Sequence, residues 1–152
     1  MDRMLRQDKS DIVAWTPQES WRELTKNSRS YLVDVRTRPE WQFVGLPDLS
    51  ATGRSLICVE WNVYPSMQVN PSFMVDVVAA FSDEWPDTLL FICRSGARSE
   101  AAARAFKEFA RESGQELRCV NVAEGFEGDL DDNLHRGDRN GWKQNALPWR
   151  QS

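Results

Sequence analysis

Two short runs, Tyr31-Leu32-Val33-Asp34-Val35 and Leu89-Leu90-Phe91-Ile92, are apolar at nearly every position. A strand with one face in water alternates apolar and polar residues, so runs without alternation call for cover on both faces, as in a parallel sheet. The segments between them carry helical signals. Thr16-Pro17-Gln18-Glu19 is a helix start, with Thr16 placed to cap, Pro17 suited to the first turn and Glu19 able to complete a capping box; it predicts a helix to about Lys26. Asn70-Pro71 opens a second helix with an apolar stripe of Phe73, Met74, Val77, Val78 and Phe81, broken by Pro86. Ala101, Ala102, Ala105, Phe106 and Phe109 mark a third, which Gly114 can end. Further strands are expected at residues 55–59 and 117–120. Strands alternating with helices predict right-handed crossover units: an α/β protein with a central parallel sheet and helices on both faces.

The chain has 152 residues, the size of one domain, and buries enough surface to fold without disulfides or a structural metal. We assign 1–15 to an N-terminal extension with room for an edge strand, 16–148 to the single domain, and 149–152 to the C-terminal end. From about Asn121 the periodicity fails, and Gly125, Gly128, Gly137, Gly141 and Pro148 punctuate a polar stretch carrying Trp142 and Trp149. Two tryptophans are costly to leave in water, so this stretch is expected to be an ordered tail wrapping the domain.

Charge and cysteine usage narrow the function. There are 19 Lys+Arg against 23 Asp+Glu, a formal charge of −4, and the basic residues are scattered; this argues against a dedicated nucleic-acid binder. No apolar run approaches the roughly 18 residues of a membrane span, and residues 1–11 lack the apolar core of a secretory signal. Three cysteines, Cys58, Cys93 and Cys119, without paired spacing fit a reducing cytoplasm, where thiols stay free for chemistry.

The segment Cys93-Arg94-Ser95-Gly96-Ala97-Arg98-Ser99 lies between a buried strand and an alanine-rich helix. Sites in parallel α/β sheets form at the carboxyl ends of strands, and a loop entering a helix can aim successive backbone N–H groups at one point as an anion-binding nest. Cys93 sits at the mouth of that cradle, where the helix N-terminus and two arginines favour thiolate over thiol. Gly96 permits the tight turn. Cys58 and Cys119 lie in expected strands among apolar neighbours and read as small core residues.

The Cys-Arg-x-Gly-x-Arg loop, with Leu32-Val33-Asp34-Val35-Arg36 before it and Asn121 to Phe126 and Gly141-Trp142 after it, resembles a single-domain rhodanese, the family of thiosulfate and related sulfurtransferases. The likeness runs from about Thr16 to Pro148. It implies a rhodanese-like fold: a central five-stranded parallel sheet with helices on both faces. Cys93 would carry a sulfane sulfur as a persulfide, loop N–H groups from about Arg94 to Ser99 would hold the terminal sulfur, and Arg94 and Arg98 would attract the anionic donor. The implied reaction moves sulfur from a small-molecule or protein-persulfide donor to a thiol or cyanide acceptor, with no metal or organic cofactor. Two elements depart from the family: its common Gly-His-Ile-Pro stands here as Gly45-Leu46-Pro47, and its Gly-Gly after the last strand as Glu124-Gly125.

Several other residues have competing readings. Asp34 and Arg36 either tune the loop or, with Glu40, form an ion-pair network that fixes the strand end; the structural role is favoured. Trp61, Tyr64, Pro65 and Met67 are either packing or a wall of the acceptor pocket. His135, the one histidine, is expected to be solvated surface rather than half of a Cys-His dyad. Asp129, Asp131 and Asn133 begin like a calcium loop, but Leu134 and Asn140 replace the glycine and glutamate that such a loop needs. Two alternatives to sulfur transfer remain on this framework: a redox or partner-binding module of the same fold, and a cysteine phosphatase. The latter closes its cradle with a loop one residue longer, around a tetrahedral phosphate.

Overall fold

Thr16 accepts a hydrogen bond from the Glu19 N–H at 3.1 Å, and the Glu19 carboxylate accepts the Thr16 N–H at 2.9 Å. This reciprocal cap starts α1 (Pro17–Lys26), as the Thr-Pro-Gln-Glu motif predicts. The computed structural model describes residues 12–152, so the part of the expected N-terminal extension within 1–11 lies outside the described residues. In chain order α1 is preceded by β1 (Val13–Trp15) and followed by β2 (Ser30–Asp34), α2 (Arg38–Phe43), β3 (Leu46–Pro47) and a 3-10 turn at Ser50–Thr52. Next come β4 (Ile57–Cys58), β5 (Asn62–Val63), β6 (Gln68–Val69) and α3 (Phe73–Ala79). The remaining elements are β7 (Thr88–Ile92), α4 (Ala97–Glu112), β8 (Arg118–Val122) and β9 (Trp149–Arg150).

Five strands form one sheet in the order β1-β8-β7-β2-β4, every neighbouring pair parallel. With β7 in the middle, its carboxyl end opens at the centre of the sheet's rim. The strand expected over 55–59 is hydrogen-bonded as a strand only at Ile57–Cys58, because the flanking chain leaves β2 after two registered pairs.

Alternate residues of the central strands enter two separate cores, which is why the strands read as unbroken apolar runs. Val33, Leu89, Phe91 and Cys119 face one side with Phe73 and Val77 of α3 and Ala102, Ala103 and Phe106 of α4. Leu32, Leu90, Ile92, Val120 and Val122 face the other with Leu24 of α1, Phe126 and Trp142. The tail supplies the last two. Trp142 is fully buried, edge-on to Trp21 at 5.9 Å, with its indole N–H donating to the Pro148 carbonyl at 2.8 Å. Trp149 stays 37% exposed, but it lies edge-on to Phe126 at 6.1 Å, and its strand β9 pairs antiparallel with β3. The chain end thus closes over Gly45-Leu46-Pro47. Gly45 has φ +121, and a Cβ there would stand 2.9 Å from the Arg150 carbonyl, so only glycine fits this close approach.

Candidate active site

Cys93 follows β7 directly and α4 begins at Ala97, so the loop spans the step from the central strand into the longest helix. Cys93 Sγ accepts the Gly96 N–H at 3.1 Å and lies 3.1 Å from Ser99 Oγ. Gly96 has φ +118, a left-handed conformation that lets the chain turn from the loop into α4. First-turn N–H groups of a helix lack intrahelical acceptors, so the start of α4 presents donors to an anion at this end of the sheet.

The loop rests on the turn after β8. Phe126 N–H donates to the Cys93 carbonyl at 2.8 Å, and Glu127 and Gly128 N–H groups donate to the Arg94 carbonyl at 3.0 and 3.2 Å. Gly125 has φ +67, and a Cβ there would lie 2.5 Å from the Arg94 carbonyl carbon and oxygen. Glycine is therefore required at the second position of Glu124-Gly125. Glu124 adopts φ +70 despite its side chain, and its carboxylate accepts the Gly141 N–H at 2.9 Å, tying the turn to the tail.

Arg36 Nε donates to Asp34 Oδ1 at 2.9 Å and Nη2 to Asp34 Oδ2 at 2.7 Å, with both side chains fully buried. Nη2 also donates to the Gly45 carbonyl at 2.7 Å, and the guanidinium lies 4.3 Å from the Phe126 ring centroid. Burial opposes the Arg36 charge, yet Asp34, with smaller contributions from Glu40 and Glu127, holds the group above its ordinary value. This pair fastens the end of β2 to the β3 segment and to the tail, away from solvent. Glu40 favours the Arg36 charge from a distance but makes no hydrogen bond to the pair. The Glu40 carboxylate instead takes both arms of Arg98, at 2.8 and 2.9 Å, and accepts the Thr37 N–H and hydroxyl. Burial works against its charge, but these hydrogen bonds prevail and bring it down to about 2. Arg98 is therefore neutralised by α2, whereas Arg94 is exposed at the loop surface.

A cavity of about 800 Å³ opens beside the loop, lined by Arg94, Arg98, Tyr64, Met67, Leu130, Leu134, His135 and Arg136, among others. Cys93 itself is 1% exposed. In the aromatic segment Trp61 packs edge-on against Phe73 at 5.0 Å, while Tyr64 and Met67 line the cavity. His135 lines the cavity wall and is exposed. Asp131, His135 and Asp138 bring ligand atoms within 4.8 Å of one another, but one Asp131 carboxylate oxygen already accepts the Asn133 and His135 N–H groups.

The other cysteines lack this setting. Cys119 is buried against the α3–α4 side, and burial pushes its thiol up to about 12. Cys58, expected in the core, is instead exposed, because β4 is the edge strand of the sheet, and it lies on a second cavity of about 680 Å³ lined by none of the loop residues. All three are free. Among the described residues no helix is long and apolar enough to cross a membrane.

One residue of the site escaped the sequence reading. Asn121, in β8, places Oδ1 2.6 Å from Ser99 Oγ and donates from Nδ2 to the Gly96 carbonyl at 3.1 Å. The signal was an amide inside the buried run Cys119-Val120-Asn121-Val122, where a polar side chain must find partners.

The fold is rhodanese-like, an α/β architecture with a central five-stranded parallel sheet and helices on both faces. No family model matches the chain. It is 36% identical over 126 residues to the uncharacterized RP600 homolog of Rickettsia rickettsii, covering 83% of this chain and 87% of that protein. The crystal structure of Rv0390 from M. tuberculosis is 42% identical and superposes with a TM-score of 0.79, over 91% of this chain and 97% of that one. The chain belongs to the family of these proteins. At 19% identity, the polysulfide-sulfur transferase homodimer of Wolinella succinogenes shares the fold, with a TM-score of 0.57 over 99% of this chain and 86% of that one.

Proposed function

We propose that the protein is a sulfurtransferase that carries a sulfane sulfur as a persulfide on Cys93. The observation behind this reading is the sulfur at the end of the central strand, 3.1 Å from the Gly96 N–H in a loop that closes on Arg98. Four residues separate Cys93 from Arg98, a ring sized for a single sulfur rather than for the three oxygens of a phosphate. The relative named for polysulfide-sulfur transfer lends the reading support at the level of the fold.

The Cys93 thiolate attacks the outer sulfur of a donor such as thiosulfate. A new S–S bond forms, the donor's S–S bond breaks, and sulfite leaves with that electron pair. A thiol or cyanide acceptor then attacks the outer sulfur, the persulfide bond breaks, and the Cys93 thiolate returns. No proton is taken from an attacking hydroxyl, so a general base is not needed, and backbone dipoles stabilise the charge at sulfur. Arg94 draws the anionic donor to the loop, the Arg98–Glu40 pair holds the start of α4, and Tyr64 and Met67 form the acceptor wall. A reducing cytoplasm, which keeps such thiols free, is the setting we assign.

The test is sulfur transfer from thiosulfate to cyanide. Cys93→Ser abolishes turnover, while Cys58→Ser and Cys119→Ser retain most of it. Turnover by Cys93→Ser, or efficient hydrolysis of an aryl phosphate without sulfur transfer, contradicts the assignment.

A further inference from the structure

Ser99 Oγ has a single proton and three neighbours able to accept it: Asn121 Oδ1 at 2.6 Å, Cys93 Sγ at 3.1 Å and the Gly96 carbonyl at 3.3 Å. Asn121 cannot turn its amide over, because Nδ2 donates to the Gly96 carbonyl and the flipped group would set oxygen against oxygen. Its Oδ1 therefore faces Ser99 as an acceptor only. Ser99 is fully buried and Asn121 is 9% exposed, so an unmade hydrogen bond here is costly. With Cys93 as a thiol every group is served: S–H donates to Ser99 Oγ, and Ser99 O–H donates to Asn121 Oδ1. With Cys93 as a thiolate the sulfur needs that hydroxyl proton, and giving it strands Oδ1 at 2.6 Å from an oxygen lone pair.

We propose that Asn121 is a positioning residue that holds the Ser99 hydroxyl proton away from Cys93 and so keeps the sulfur-free protein biased toward the thiol. Ionisation sends the Cys93 proton to a solvent base and requires the Ser99 O–H to swing from Asn121 to sulfur. The charged groups around this cluster have other partners or face outward: Arg98 of α4 is paired with Glu40 of α2, Asp34 at the end of β2 is paired with Arg36, Glu124 of the turn after β8 accepts the Gly141 N–H, and Glu127 and Arg94 line the cavity. The inference rests on Cys93 being the working thiol, but its test needs no sulfur donor.

The experiment follows alkylation of the Cys93 peptide by iodoacetamide across pH, read by mass, in variants shown to be folded by circular dichroism. Asn121→Ala lowers the midpoint of the profile by about one pH unit, the worth of one hydrogen bond to a charged group. Asn121→Val, which suits strand β8 and also lacks the acceptor, does the same. Asn121→Asp keeps the acceptor and does not lower it. In a Ser99→Ala background, replacing Asn121 leaves the midpoint where it is. A midpoint that stays or rises in Asn121→Ala and Asn121→Val, as loss of a loop anchor alone would produce, overturns the proposal. So does an equal fall without Ser99. Absence of sulfur transfer with these shifts intact would count against the sulfurtransferase reading and leave this one standing.

Discussion

Arg98 and Glu40, separated by 58 positions, meet in a two-armed ion pair at 2.8 and 2.9 Å, joining the first turn of α4 to the first turn of α2. The Cys93 loop is thereby clamped from the β2 side. Glu40 ionises near 2 against an ordinary 4.5, so the folded state prefers its charged form. The stabilisation from this group is complete above about 4.5 and is lost as pH falls through about 2. Glu40→Gln is expected to lower stability at neutral pH by about 2 kcal/mol and to flatten the acid limb of stability against pH. Urea unfolding of both proteins at several pH values checks it; parallel acid limbs contradict it.

Arg94 and Arg98 are expected to separate in function. Arg94, exposed at the cavity, offers its charge to an incoming anion, so Arg94→Ala should raise KM for thiosulfate about ten-fold and make the remaining activity less sensitive to salt. Arg98→Ala should instead cost stability and kcat. Steady-state kinetics at two ionic strengths distinguish the pair, and equal KM effects with equal salt dependence would show that both arginines serve the same role.

Gly125 is the point where the post-β8 turn touches the loop. A Cβ there would stand 2.5 Å from the Arg94 carbonyl in a backbone with φ +67, whereas Gly53, with φ +75, has open space around it. Gly125→Ala is expected to destabilise by about 3 kcal/mol and to displace the loop with a large loss of activity. Gly53→Ala should cost about 1 kcal/mol and leave turnover intact. Equal effects of the two substitutions would mean that the contact under Arg94 is unimportant.

Much of this arrangement was legible in the residues because it follows from local rules. The capping box at Thr16 and Glu19, the two-faced strands at Leu32-Val33 and Leu89-Leu90-Phe91-Ile92, and the step from Cys93 into an alanine-rich helix are each written within a few positions. What escaped depends on distant partners. Glu40 is near Asp34 and Arg36 in sequence, but α2 turns its carboxylate toward Arg98. Asn121 meets Ser99 across 22 positions, through the adjacency of β8 to β7 and the helix that follows β7. The strand over 55–59 shrank to two residues because edge pairing answers to where the chain must go next, and apolar content does not report that.

The sulfur-carrying role of Cys93 is tested by mass spectrometry of the protein after brief exposure to thiosulfate and removal of excess donor without reductant. One added sulfur is expected on the peptide containing Cys93, removed by cyanide and absent from Cys93→Ser. An unmodified Cys93 under these conditions, or added sulfur confined to the exposed Cys58, would contradict it.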